Sequence, residues 1–239
     1  MQSRKCCFLF FTALVTTASF GFNLKTLELP LQLGFFASNP GEAQYINIQG
    51  LVGDQYTITR NRRKNIAIGT GLFIPGTDKD RFKLSYGINA FYLATTAVYG
   101  NIIQENLFTN LSYQYHLQHV PLYVAAKGKI DTNSDKYTLM LDAGIGPNFM
   151  FISDYKVNVL NDFTVAEKIF SSAANQVVFS ATAGIGLRLN NLLGQHPLEC
   201  GYRFFYLGQG ELSTTSNQVL NKLSTGQNYA NALICSITL

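Results

Sequence analysis

From Leu27 to Leu239 the chain repeatedly alternates apolar with small or polar residues, and the period is two. Leu27, Leu29, Leu31, Leu33 and Phe35 interleave with Glu28, Pro30, Gln32 and Gly34. Successive side chains of an extended strand point to opposite faces, so this period specifies strands with one apolar face, not helices. Ten such segments are read: 27–35, 46–53, 66–74, 82–89, 111–117, 122–127, 137–146, 177–188, 198–206 and 233–239. After residue 22 no apolar run approaches the ~18 residues of a membrane helix.

A soluble sandwich would alternate in the same way. Charge placement separates the two architectures. Glu28, Lys83, Lys127, Asp142, Arg188, Glu199 and Arg203 all fall on the less apolar face of their segments. The chain is 47% hydrophobic but only 13% charged, against about 25% in ordinary soluble domains. Apolar faces turned to lipid account for that shortfall. The expected fold is therefore all-β: a single antiparallel transmembrane β-barrel of ten strands, with eight as the alternative if one strand has been split.

The start of the chain reads as an export leader. Arg4 and Lys5 precede the apolar run 6–16, and Ser19 and Gly21 suit positions −3 and −1 of a cleavage site. Residues 1–21 form the leader and 22–239 the barrel; Cys6 and Cys7 leave with the leader. Ten strands place short periplasmic turns near 59–64, 99–106, 130–136 and 190–196. Outer loops then fall near 37–44, 75–81, 118–120, 153–175 and 209–226, and the two longest share the outer side, as in bacterial barrels.

The strands Ala143-Gly144-Ile145-Gly146 and Ala183-Gly184-Ile185-Gly186, with Leu198-Glu199-Cys200-Gly201-Tyr202-Arg203-Phe204-Phe205, resemble those of opacity-type outer-membrane barrels. The resemblance covers roughly 44–239. It implies a surface-exposed barrel in the cell outer membrane, in contact with its lipid and with the assembly machinery, and it transfers no catalytic residue. The last segment, Tyr229 to Leu239, is similar to the closing strand of such barrels but ends on Leu239 rather than an aromatic.

Charge inside a small barrel persists only when paired. Asp142, Arg188, Glu199, Arg203, Lys83 and Lys127 are accordingly expected to form a lumen ion network that plugs the barrel. Cys200 and Cys235 face each other if the last hairpin is symmetric; they are read as two small lipid-facing residues, with a cross-strand disulfide as the alternative. The paired glycines lie within strands and lack a following Gly-Lys-Ser/Thr, so they are not a phosphate loop. His116 and His119 are expected near the outer rim and His196 at the opposite end, which leaves no metal site. Asp78, Asp80, Asp154, Asp162 and Glu167 fall in expected outer loops without the spacing of a nucleophile triad.

No catalytic residue and no cofactor is expected. The net charge is +4, and the basic cluster Arg60, Arg62, Arg63 and Lys64 reads as a solvated turn. A nucleic-acid partner would want a broader basic stripe. The function expected is that of a non-enzymatic surface protein, structural or adhesive, whose external loops meet an outside ligand or host surface. A narrow channel for small solutes and a soluble periplasmic lipocalin-like binder are the alternatives.

Overall fold

The computed structural model describes residues 27–59, 63–134, 136–161, 164–193 and 196–239. The expected leader, Arg60, Arg62 and Asp162 lie outside the described residues. The strands are β1 (Pro30–Ser38), β2 (Gln44–Ile46), β3 (Asp54–Tyr56), β4 (Arg63–Lys79), β5 (Phe82–Gln104), β6 (Phe108–Asp131), β7 (Tyr137–Val159), β8 (Ala174–Leu193), β9 (His196–Gly208), β10 (Glu211–Leu212), β11 (Leu223–Ser224) and β12 (Asn228–Thr238). Eight of them close a ring in the order β1-β4-β5-β6-β7-β8-β9-β12, and β12 returns to β1. All neighbours are antiparallel.

The ring has eight strands because two of the ten expected segments are not separate staves. Segment 46–53 is the end of β2 and a turn; β2 and β3 form a small hairpin that pairs with the tip of β5. Segments 111–117 and 122–127 are one strand, β6. Their apolar residues occupy odd positions in the first and even positions in the second, which imitates a break. The backbone runs through. Leu111, Tyr113, Tyr115, Leu117, His119, Tyr123, Ala125, Lys127 and Lys129 are all buried on the inner side, whereas Leu122 and Val124 face outward. What changes along β6 is the surroundings, not the strand.

Removing one stave inverts every segment after it, and merging another restores the rest. The connections 80–81, 132–136 and 194–195 sit at the end that holds Leu29 and Leu239, whose backbones pair. By the general rule for such barrels this is the periplasmic end. The connections 39–62, 105–107, 160–173 and 209–227 lie at the other end. Connections 130–136 and 190–196 thus share one end, and 37–44, 153–175 and 209–226 share the other, grouped as expected. The expected ends of 59–64, 75–81 and 99–106 are exchanged, and 118–120 lies within β6.

Outward positions of the lower barrel form an apolar belt. Leu33, Phe35, Ile68, Ile88, Val124, Ile145, Phe179, Ile185 and Leu233 are each more than half exposed. On β7 the belt runs from Leu141 to Phe151, about the length a tilted strand needs to cross a bilayer. A ring without edges leaves no unpaired backbone in hydrocarbon. The chain is thus an outer-membrane-type barrel. Above the belt the outer face turns polar, with Thr95, Asn101, Ser112, Gln114, Asp154 and Lys156, and the apolar residues turn inward.

A charge placed in the belt should be costly and the same charge above it should not. Leu233→Arg is expected to lower folding stability in lipid vesicles by ~2–4 kcal/mol, against ~0–1 kcal/mol for Gln114→Arg. Urea midpoints measure both, and equal costs would move the edge of the belt.

Candidate functional site

The barrel interior is filled in three tiers. The lowest is ionic. Lys127 Nζ lies 2.5 Å from Glu199 Oε2, and Arg188 lies 3.4 Å from Glu199 Oε1. Ser236 Oγ donates to the same carboxylate at 3.3 Å. Arg203 reaches Asp142 at 2.7 Å, and its guanidinium lies 5.0 Å from the centroid of Phe91. Lys129 pairs with Glu28. A cavity of about 40 Å³ lies beside Gln32, Asp142 and Arg203.

Local sequence makes this tier fit. Asp142, Gly184 and Arg203 are opposite one another on β7, β8 and β9. A Cβ on Gly184 would stand 2.7 Å from Asp142 Oδ2, so the glycine is the gap across which the pair closes. Gly69 does the same for the Phe91 ring, at 2.5 Å.

Five of the six expected lumen residues meet in this tier. Lys83 does not. It lies on the inward phase of β5 but next to the periplasmic turn, is exposed, and pairs with Asp78 across the hairpin at 3.5 Å. Alternation gives the side of a strand, not the depth. Lys129 also belongs to this tier: it shares the phase of Lys127 two residues on, beyond the end of the expected segment 122–127. Its partner Glu28 comes from the stretch before β1, a pairing only the closed ring creates.

The middle tier is apolar and aromatic, with Phe36, Phe73, Phe91, Tyr123, Phe205 and Leu207 buried together. Two polar pairs lie in it: Tyr123 Oη and Ser180 Oγ are 2.7 Å apart, and Asn148 Nδ2 donates to the Leu207 carbonyl at 2.7 Å. His119 lies here, 2.9 Å from Asn148 Nδ2. His116 is on the outer surface beside Asp154 at 3.3 Å, and His196 is at the periplasmic end on the Thr238 carbonyl. The three histidines do not converge, and among the described residues no group of His, Cys, Asp and Glu could hold a metal ion. Asp78 and Asp80, expected outside, sit at the periplasmic turn instead.

The upper tier is a cap. The connection 39–62 carries β2 and β3, and 209–227 carries β10 and β11. Backbone bonds sew them together, Gln49 N to Gln218 O at 2.8 Å and Leu220 N to Asn47 O at 2.9 Å, and Ser171 N to Ser213 O at 2.9 Å ties in the connection 160–173. Beneath them Ile46, Tyr56, Tyr113, Tyr155, Phe170 and Leu212 are buried. The Tyr56 and Tyr155 hydroxyls are 3.3 Å apart, and both rings meet the edge or face of Phe170 at under 6 Å. Burial pushes the Tyr155 phenol up to about 12, and that of Tyr56 higher still. A cavity of about 350 Å³ opens in this cap, between the 47–53 turn, the β5–β6 tip and the connections 160–173 and 209–227.

Cys200 and Cys235 are direct cross-strand partners of β9 and β12 on the outer side. Their Cα atoms are 4.1 Å apart and their sulfurs are bonded. The residues read as two separate apolar positions thus form a pair.

No protein-family model and no curated protein matches the sequence. Solved structures with a similar course of chain are outer-membrane proteins. The outer membrane protease OmpT of Escherichia coli has a TM-score of 0.48 at 7% identity, over 93% of this chain and 97% of that one. OprG of Pseudomonas aeruginosa gives 0.46 at 13%, over 88% and 93%. Ail, the attachment invasion locus protein of Yersinia pestis, in complex with the heparin analogue sucrose octasulfate, gives 0.35 at 11%, over 89% and 99%. At such identities no residue role passes from them to this chain.

Arg203→Ala leaves Asp142 buried and unpaired, so it is expected to cost ~3–5 kcal/mol. The melting temperature in detergent should drop clearly, and adding Asp142→Ala should recover part of the loss. A single variant that melts like the parent would remove the pair from the account of stability. For the cysteines, maleimide should label neither thiol in denatured membrane-extracted protein until reductant is added; ready labelling would show them free.

Proposed function

We propose that the protein is a non-enzymatic surface protein of the cell outer membrane, structural or adhesive, that works through its external cap. One observation carries this. The bore of the barrel is filled by ion pairs and aromatic rings, while the long connections at the opposite end from the termini are tied into an ordered structure beyond the apolar belt. Loops held on a rigid scaffold are where recognition resides.

The reading includes the leader at 1–21, contact with the barrel-assembly machinery, kinship with opacity-type barrels, and an outside ligand or host surface as partner. A diffusion channel fits poorly with paired charges across the lumen. A soluble periplasmic binder does not fit at all, because the apolar belt would stand in water.

Two measurements test it. In a Cys200→Ala, Cys235→Ala background, Val165→Cys should react with an impermeant maleimide on intact cells, and Thr132→Cys should not. The reverse pattern would turn the barrel over and put the cap in the periplasm. In planar bilayers the purified protein should give no conductance steps; regular steps would favour the channel.

A further inference from the structure

The cap cavity of about 350 Å³ is within the size range of small-molecule sites. Tyr56, Ile102 and Val219 on its floor are buried. Its mouth is apolar and open, with Leu51 at 60% and Val165 at 86% exposure. Exposed aliphatic side chains around a hollow are the signature of a surface that expects cover.

The charged groups of the wall have one sign. Asp54, Glu105 and Glu167 line it, and neither lysine nor arginine does. Among the described residues none of the three carboxylates has a salt-bridge partner. They are also too dispersed to hold one metal ion together. An occupant must therefore be extended, apolar along its body and positive at its end.

We propose that this cavity binds a small amphipathic organic cation, with its apolar body against Tyr56, Ile102 and Val219 and an amine or guanidinium facing Asp54 and Glu105. Asp54 is the anchor. It is buried, and burial raises its carboxyl above the usual range; the backbone N–H of Glu105 offsets this in part, while the Glu105 charge adds to it. A bound cation supplies the counter-charge that the described residues do not. The inference rests on the cap being the outward working face.

The test uses the protein in lipid nanodiscs and three matched probes: 2-naphthylethylamine, 2-naphthylethanol and 2-naphthylacetate. Calorimetry should show the amine binding about tenfold tighter than the alcohol, the margin of a hydrogen bond to a charged group, and the acetate not at all. Asp54→Asn with Glu105→Gln should erase the preference for the amine and keep alcohol binding. Val219→Trp, which fills the floor, should abolish both. Glu167 is exposed, so Glu167→Gln offers a variant without folding risk; it should weaken the amine alone. Retained heat-dependent gel mobility certifies each fold. Equal affinity for amine and alcohol, or binding equal to that of empty nanodiscs, overturns the proposal. If the Val165→Cys variant is labelled on cells but the parent protein binds no probe, the ligand alone is overturned; failed labelling overturns the surface reading.

Discussion

Hydrocarbon offers the backbone no hydrogen-bond partner, so every N–H and C=O in the belt must find one in the chain. The β1–β12 pairing meets that demand at the seam, from Pro30 opposite Thr238 to Ser38 opposite Ala230. Once the ring is closed, its circumference is fixed by eight strands, and a bore of that width is just large enough for side chains to fill. The ionic tier, the aromatic tier and the glycine gaps are consequences of that width. Arg203 and Asp142 span β8 because Gly184 lets them.

Closure also explains why one strand carries two patterns. In the belt the outside is the apolar solvent and the inside must hide polar groups. Above it the outside is water and the inside is the cap core. Val124 and Leu117 are both apolar residues on β6, yet one faces lipid and the other is fully buried. A soluble barrel has no such inversion, and a barrel confined to the bilayer has no upper half.

Much of this was legible in the sequence and some was not, for definite reasons. The 66–74 stretch of β4 and the 233–238 stretch of β12 are legible as strands because one environment acts along their length. The partners Asp142, Arg203 and Glu199 were legible because a charge on an otherwise apolar-alternating strand has only the lumen to enter. The depth of Lys83 is not legible, because period two says nothing about depth. The continuity of β6 is not legible either, because its surroundings invert along its length. The cap was not readable: β2, β3, β10 and β11 are two or three residues long, and Phe170 or Ile46 acquires its meaning only from partners far along the chain. Asp54 and Glu105 gave no signal beyond being acids near turns.

The bond between Cys200 and Cys235 encloses a segment that contains the whole 209–227 connection. A protease that reached this surface and cut anywhere between Gly201 and Ile234 would leave both pieces joined by sulfur, with β12 still in the wall. The 209–227 connection can thus be nicked without being shed, and the seal of the barrel does not depend on its integrity.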